Sequence, residues 1–236
     1  MNLWRVAWRT RSFKIEAALT LLCIFLLTAV CLTVFPIVQH RQGVVLSDPL
    51  LPLFRPINMD WPTFVLLYSA VFLGLFHALR DPRRFFAILQ VFLVVQYIRV
   101  VTICITPLDP PLTKIPLRDP FLYSCMNNVF TKDLFFSGHT ATCFLLFLLA
   151  REKWLRCYLG FTTLGMVGCV LATHGHYTVD VLAAFPFTYL SYRLVTKVRK
   201  RFCWPQEAPV IAQATTALLT RWRELRARSS RSSRAA

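Results

Sequence analysis

Six long apolar stretches, separated by shorter polar segments, set the pattern of the chain. A helix needs about 20 residues to cross the hydrocarbon core of a bilayer, and each stretch comes close to that length. The segments 80–84 and 151–153 are short and charged, whereas 39–60 and 106–133 are longer and rich in proline, as connectors are. The pattern therefore predicts six transmembrane helices, at 15–38, 61–79, 85–105, 134–150, 154–173 and 177–195.

The composition excludes a soluble globular protein and a disordered chain. Of the 236 residues, 56% are hydrophobic and only 16% are charged, whereas soluble chains have about 25% charged residues. So much apolar surface requires lipid or internal packing. We predict an all-α polytopic membrane protein in three parts: a basic N-terminus at 1–14, a six-transmembrane-helix bundle at 15–204 and a basic tail at 205–236.

The basic residues indicate the orientation of this bundle. Six crossings place the N-terminus, the segments 80–84 and 151–156 and the region after residue 196 on one side, which holds nearly all lysines and arginines. Positive residues favour the cytosolic side, so both termini are predicted to be cytosolic. The formal net charge of +16 then reflects topology, and no nucleic-acid partner is needed to explain it.

The two ends of the chain carry further predictions. The first apolar run is longer than the roughly 7–15 residues of a signal-peptide core, which favours a retained membrane anchor. In the tail, apolar residues recur at helical spacing beside arginines, which predicts an amphipathic helix on the anionic cytosolic leaflet, with a disordered end at 231–236. A solvated basic tail with no role beyond topology is the alternative.

Few ionisable residues lie within the predicted spans or at their ends. Ionisable groups at such positions tend to mark functional sites. In the predicted topology these residues come from the ends of spans on the non-cytosolic face, so they can line one pocket at the lipid–water boundary. The candidates are, in chain order, Arg99, Ser137, Gly138, His139, His176 and Asp180.

The histidines and the aspartate fit phosphoryl transfer. Because His176 and Asp180 are four residues apart, they share a helical face, where the carboxylate can accept the imidazole Nδ1–H and stabilise the imidazolium. His139 supplies a second acid–base group. Free N–H groups at the helix starts favour an anion, and Ser137 and Gly138 let it approach the backbone. Such a site requires neither a metal ion nor a cofactor.

Arg99 is the predicted counter-charge for the non-bridging phosphate oxygens. A long side chain within a span can instead snorkel to the membrane surface, and a single histidine near a span end is often a packing residue. Ser-Gly-His and His-x-x-x-Asp at two helix starts on one face form a much rarer combination, which favours a catalytic pair. His174 is predicted to face elsewhere and receives no role.

These segments resemble the sphingomyelin synthase family, a branch of the type 2 phosphatidic acid phosphatase superfamily of six-span enzymes. The segment 133–140, DLFFSGHT, is similar to the first histidine motif of that branch. The segment 176–181, HYTVDV, resembles the second motif nearly residue for residue. A looser likeness covers 99–108 in the third span. The resemblance implies a phosphohistidine mechanism on a six-helix catalytic domain.

The resemblance also implies individual roles. His176 would be the nucleophile, oriented by Asp180, and His139 would act first as acid and then as base. The wider superfamily has a proline before Ser-Gly-His and a Ser-Arg pair ahead of the second histidine, where this chain has Phe136 and the Cys-Val pair at 169–170. These departures favour the headgroup-transferring branch over a general phosphatase.

We therefore expect a lipid phosphotransferase in the membrane with its site on the non-cytosolic face. The donor would be a glycerophospholipid such as phosphatidylcholine, and the acceptor a lipid alcohol such as ceramide. Departures from the branch pattern at 131–132 and Gly175 leave the headgroup open. Hydrolysis by the same residues, as in a lipid phosphate phosphatase or a phospholipase C-type enzyme, is one alternative. A non-enzymatic lipid-binding or scrambling protein is the other.

Overall fold

The computed structural model describes residues 3–117 and 132–202. Within these residues the regular structure is helical and contains no strand. A short 3₁₀ turn at Leu51–Leu53 lies in the first long loop. The α-helices of the described residues are, in chain order, α1 (Leu3–Ala7), α2 (Arg11–His40), α3 (Asp60–Ala78), α4 (Pro82–Ile105), α5 (Gly138–Leu149), α6 (Lys153–Ala172) and α7 (Thr178–Phe202).

Four helices in the described part of the chain, α2, α3, α4 and α6, are long and apolar enough to cross a membrane. They coincide within a few residues with the first, second, third and fifth predicted spans. This supports a membrane protein, whereas the predicted number of six spans is not confirmed. The helix predicted in the tail at 205–236 lies outside the described residues.

The fourth predicted span is shorter than expected. The apolar run covers 134–150, but α5 contains only 12 residues. At a rise of 1.5 Å per residue it is about 18 Å long, against a hydrocarbon core of about 30 Å. The reason is local, because Ser137 caps the helix and keeps the apolar residues 134–136 outside it.

Helix α5 lies among the other helices of a compact unit that ends at Val195. It packs against α3, α4 and α6, while α3 also packs against α6, and α2 lies along α4. The core between these helices is apolar and includes Phe136, Leu146 and Met166, none of them more than 3% exposed. Because α5 has neighbours on several sides, its first residues are buried in the protein.

The outer faces of the long helices are apolar. Phe25, Phe72 and Leu164 are each about two-thirds exposed or more, at 69%, 67% and 71%. Apolar surface of this extent is unfavourable in water, at about 25 cal/mol per Å². Lipid tails match it, which supports a membrane environment for these helices.

Two loops, 41–59 and 106–117, cover the end of the unit that holds the starts of α5 and α7. Val44 forms a parallel bridge with the second loop. Its backbone N–H donates to the Pro107 carbonyl oxygen at 2.9 Å, and its own carbonyl accepts from the Asp109 N–H at 3.0 Å. The loops are thus tied to each other as well as to the helices beneath them.

Candidate active site

Ser137 fixes the start of α5. Its side-chain oxygen accepts hydrogen bonds from the backbone N–H of Thr140 at 3.4 Å and from the Thr140 hydroxyl at 3.2 Å. The chain reaches this cap through Phe135, whose φ of 109° lies in the left-handed region. Ser137 is fully buried, so the free N–H groups of the first turn lie inside the protein.

His139 lies in the first turn of α5 and is half-buried. Its ring stands edge-on to the ring of Phe64 in α3, with 6.0 Å between the centroids. Phe64 itself is 3% exposed. The imidazole therefore lies between α5 and α3 on the side of a buried aromatic ring.

His176 and Asp180 form the interaction that their spacing predicts. The His176 Nδ1 atom lies 3.2 Å from the Asp180 Oδ2 atom. A carboxylate only accepts hydrogen bonds, so Nδ1 carries the proton and Nε2 holds the lone pair when the ring is neutral. The same Oδ2 atom accepts the Tyr177 N–H at 3.2 Å. Because Asp180 is fully buried, the orientation of the imidazole is fixed from inside the protein.

The two histidine motifs meet through their backbones. The Ser137 N–H donates to the Asp180 carbonyl oxygen at 3.1 Å. This hydrogen bond places the residue that caps α5 against the first turn of α7. His139 is two residues beyond one partner of this bond, and His176 is one helical turn before the other.

Arg99 lies over Gly138, inside the protein. Its side chain is largely buried, and a Cβ atom on Gly138 would lie 2.6 Å from the Arg99 Cζ atom and 2.8 Å from Nη1. Only glycine allows such a close approach. The guanidinium also forms an ion pair with Asp133 and donates to the Gln96 side chain at 3.3 Å. The structure thus brings Arg99, from α4, to the start of α5.

Further charged residues, to which the sequence pattern assigned no role, surround this end of the unit. The Lys132 Nζ atom lies 2.7 Å from the Asp109 carboxylate, and this hydrogen bond is the main cause that lowers the pKa of Asp109. Burial lowers the pKa of Lys114 to about 8, and the carboxylates of Asp133 and Asp180 oppose that shift. Lys114 therefore lies within electrostatic range of both. Sequence position gave no signal for this, because Lys114 belongs to a proline-rich loop.

Asp48, which the motifs did not indicate, caps α7. Its carboxylate accepts the Thr178 N–H at 2.6 Å and the Thr178 hydroxyl at 2.9 Å. Burial raises the pKa of Asp48, but hydrogen bonds from Thr178 and two loop N–H groups outweigh that effect and lower it overall. The Tyr177 hydroxyl donates to the Asp109 carbonyl at 2.8 Å and accepts from the Leu46 N–H at 3.1 Å. Both loops are thereby attached to the segment that carries His176.

His174 holds the turn before His176. It adopts a left-handed φ of 51° and is 2% exposed. Its Nδ1 atom is hydrogen-bonded to the Thr113 hydroxyl at 2.6 Å, and its ring stands edge-on to Phe54 at 5.2 Å. Both partners come from the covering loops. These contacts hold the His174 ring against the covering loops; that it takes no part in the chemistry stays a prediction.

An open, mostly apolar cleft of about 230 Å³ adjoins the start of α7. Its wall includes Leu46, Pro49, Tyr177, Val179 and Leu182. Val179 and Leu182 are more than half exposed. The cleft thus offers apolar surface beside the residue that follows His176.

Across residues 3–117 and 132–202, no group of three His, Cys, Asp or Glu side chains is arranged to hold a metal ion. The absence of a metal ion and a cofactor stays a prediction.

One family model matches part of the chain. Residues 132–197 match the family model described as PAP2 superfamily C-terminal. No curated protein and no solved structure matches the chain. The matched range contains His139, His176 and Asp180, whereas Arg99 lies before it. The match therefore supports the PAP2 superfamily, whose members are generally phosphatases or phosphotransferases. It does not support the sphingomyelin synthase branch specifically.

Proposed function

We propose that the protein is a membrane-embedded lipid phosphotransferase. It would move a phospho-headgroup such as phosphocholine from a glycerophospholipid to ceramide or a similar lipid alcohol, through a phosphohistidine. The observation that carries this proposal is the Ser137–Asp180 backbone hydrogen bond, because contact between the two helix starts that carry the histidine motifs supports a shared site.

The first half-reaction follows from the tautomer of His176. With Nδ1–H directed to Asp180, the Nε2 lone pair attacks the phosphorus of the donor phosphodiester. A P–N bond forms while the P–O bond to diacylglycerol breaks. His139, in its protonated form, gives its proton to the departing oxygen. Arg99 and the N–H groups at the start of α5 stabilise the charge on the non-bridging oxygens.

The second half-reaction reverses these roles. His139, now neutral, takes the proton of the acceptor hydroxyl, and the oxygen attacks the phosphohistidine. The P–N bond breaks as the new P–O bond forms, which restores both histidines. Water competes with the lipid alcohol for the same intermediate, so transfer requires that water be excluded. The apolar cleft at the start of α7 supports access of lipid next to this position.

The test is a transfer assay in membranes that contain the full-length protein. Labelled ceramide, and labelled diacylglycerol in parallel, are incubated with phosphatidylcholine, phosphatidylethanolamine and phosphatidylinositol, and products are identified by mass spectrometry. His176→Ala and His139→Ala should each abolish the new phospholipid while the protein still accumulates in membranes. His40→Ala is the matched control, because His40 is exposed at the end of α2. Turnover retained in His176→Ala would eliminate the proposed nucleophile.

Hydrolysis is the second candidate, because the superfamily match fits a phosphatase as well as a phosphotransferase. The same incubation separates the two reactions by product. Free phosphocholine or phosphate without a new phospholipid would identify a hydrolase. Lipid binding or scrambling that survives both histidine substitutions, without turnover in the wild type, would identify a non-enzymatic protein.

A further inference from the structure

The proposed phosphate-binding arginine already has an anionic partner. Arg99 is largely buried and forms an ion pair with Asp133, four residues before the cap of α5. The Asp133 carboxylate is itself only about one-quarter exposed. At this burial the pair is poorly screened by solvent, so the arginine presents little net positive charge.

Two neighbouring lysines, Lys132 and Lys114, also lie close to carboxylates. Lys132 is paired with Asp109 at 2.7 Å. Lys114 lies within electrostatic range of Asp133 and Asp180. Among the described residues, Arg41 also acts on Asp109 and Asp48 lies at the start of α7, so the cations at this end of the unit are accompanied by carboxylates. An anion that binds at the start of α5 can accept hydrogen bonds from N–H groups there. It finds little excess positive charge.

This balance of charges affects lipid phosphodiesters and lipid phosphomonoesters differently. A phosphodiester carries one negative charge, whereas a phosphomonoester has a second pKa near 6 and carries about 1.5 to 2 negative charges at pH 7. Any phosphate that contacts Arg99 also lies near the Asp133 carboxylate. The second negative charge of a monoester is then repelled by Asp133, while the cations at this end already lie beside carboxylates.

We infer that Asp133 determines substrate class through its ion pair with Arg99, so that the site accepts monoanionic phosphodiester lipids and disfavours dianionic phosphomonoester lipids. This inference rests on the proposed function, because it takes the phosphate to bind at Arg99 and α5. Asp133 acts through Arg99 and is not assigned a catalytic step.

The first test needs no substitution. Dioctanoyl phosphatidic acid and dioctanoyl phosphatidylmethanol differ only in one methyl group and the charge that it removes. Each is titrated into the detergent-solubilised, full-length protein, and affinity is obtained from the rise in melting midpoint. The wild type should bind phosphatidylmethanol more tightly. Tighter binding of phosphatidic acid would overturn the inference, even if no variant could be purified.

The second test removes the charge of Asp133 while retaining its size. Asp133→Asn should shift the affinity ratio toward phosphatidic acid by about 10²-fold, as expected for one unit charge at about 5 Å in a medium of effective dielectric about 20. Asp133→Glu, which retains the charge, should leave the ratio near that of the wild type. An unchanged ratio in Asp133→Asn would refute the inference.

Asp109→Asn is the matched control for net charge. It removes one negative charge at the same end of the unit, but from the partner of Lys132 and not of Arg99. Its ratio should change by less than about threefold, because the removed charge is not the partner of the phosphate-binding arginine. Equal shifts in both variants would show a general charge effect and contradict the role of Asp133. Because affinity is the readout, failure of the transfer assay and failure of this inference remain distinct results.

Discussion

A methyl group added at Gly138 should displace Arg99 without unfolding the protein. The new Cβ atom would lie 2.6 Å from the Arg99 Cζ atom, 2.8 Å from Nη1 and 3.0 Å from Nη2. Ordinary carbon contacts lie at about 3.5–4.0 Å, so the guanidinium must move by about 1 Å. Alanine favours the helix by up to about 1 kcal/mol over glycine, which offsets the cost of moving the end of one side chain.

The functional cost should be larger than the structural one. A misplacement of about 1 Å in a group that stabilises the transition state lowers the rate by about 10²-fold. We therefore expect Gly138→Ala to lose about two orders of magnitude in the initial rate of headgroup transfer, with a melting midpoint close to that of the wild type. Gly168→Ala in α6 is the matched control, since its Cβ atom would meet nothing within 4 Å.

A double-mutant cycle tests whether the loss acts through Arg99. In an Arg99→Lys background, where the planar guanidinium is absent, Gly138→Ala should cost less than about threefold, because the clash has been removed. Additive losses would show that Gly138 acts through another contact. A Gly138→Ala enzyme with the wild-type rate would refute the reasoning altogether, because it would mean that Arg99 need not lie over the start of α5.

Three further predictions concern groups around the same site. Asp180→Asn should lower the transfer rate by about 10⁴-fold, measured at equal protein yield, because the amide no longer fixes the His176 tautomer; a loss below tenfold would contradict that role. Because Lys114 loses its proton above pH 8 in the folded protein, phosphodiester affinity should decline between pH 8 and 9, and Lys114→Arg should abolish the decline. A phosphodiester affinity that does not depend on pH in the wild type would contradict this role of Lys114. In the same pH range the unfolded chain binds more protons than the folded protein, so Lys114 makes the free energy of unfolding rise with pH. Asp48→Ala should lower stability by about 1–2 kcal/mol in thermal melting, because α7 loses its cap, and an unchanged midpoint would exclude this contribution.

Helix positions were largely readable from the sequence. The apolar runs at 15–38, 61–79, 85–105 and 154–173 coincide with α2, α3, α4 and α6 within a few residues. Hydropathy over about 20 residues is a local property, so no tertiary information is needed to find it. The fourth run, 134–150, is longer than α5, because hydropathy does not register the Ser137 cap that precedes Gly138.

Part of the site was equally local. The spacing of His176 and Asp180 predicts their hydrogen bond, since residues four apart face each other on the first turn of a helix. The Ser-Gly-His sequence likewise predicts a capped helix start with free N–H groups in its first turn. Both features depend on fewer than six consecutive residues.

The remaining features required the folded chain. The contact of Ser137 with Asp180, the position of Arg99 over Gly138 and its pairing with Asp133 join residues that are distant in sequence. No periodicity encodes such contacts, because they depend on how the helices pack around α5. The sequence by itself determined the apolar helices and the residue types of the two motifs. Tertiary packing decided which charges meet, and therefore the net charge at the start of α5, where we propose that a phosphate binds.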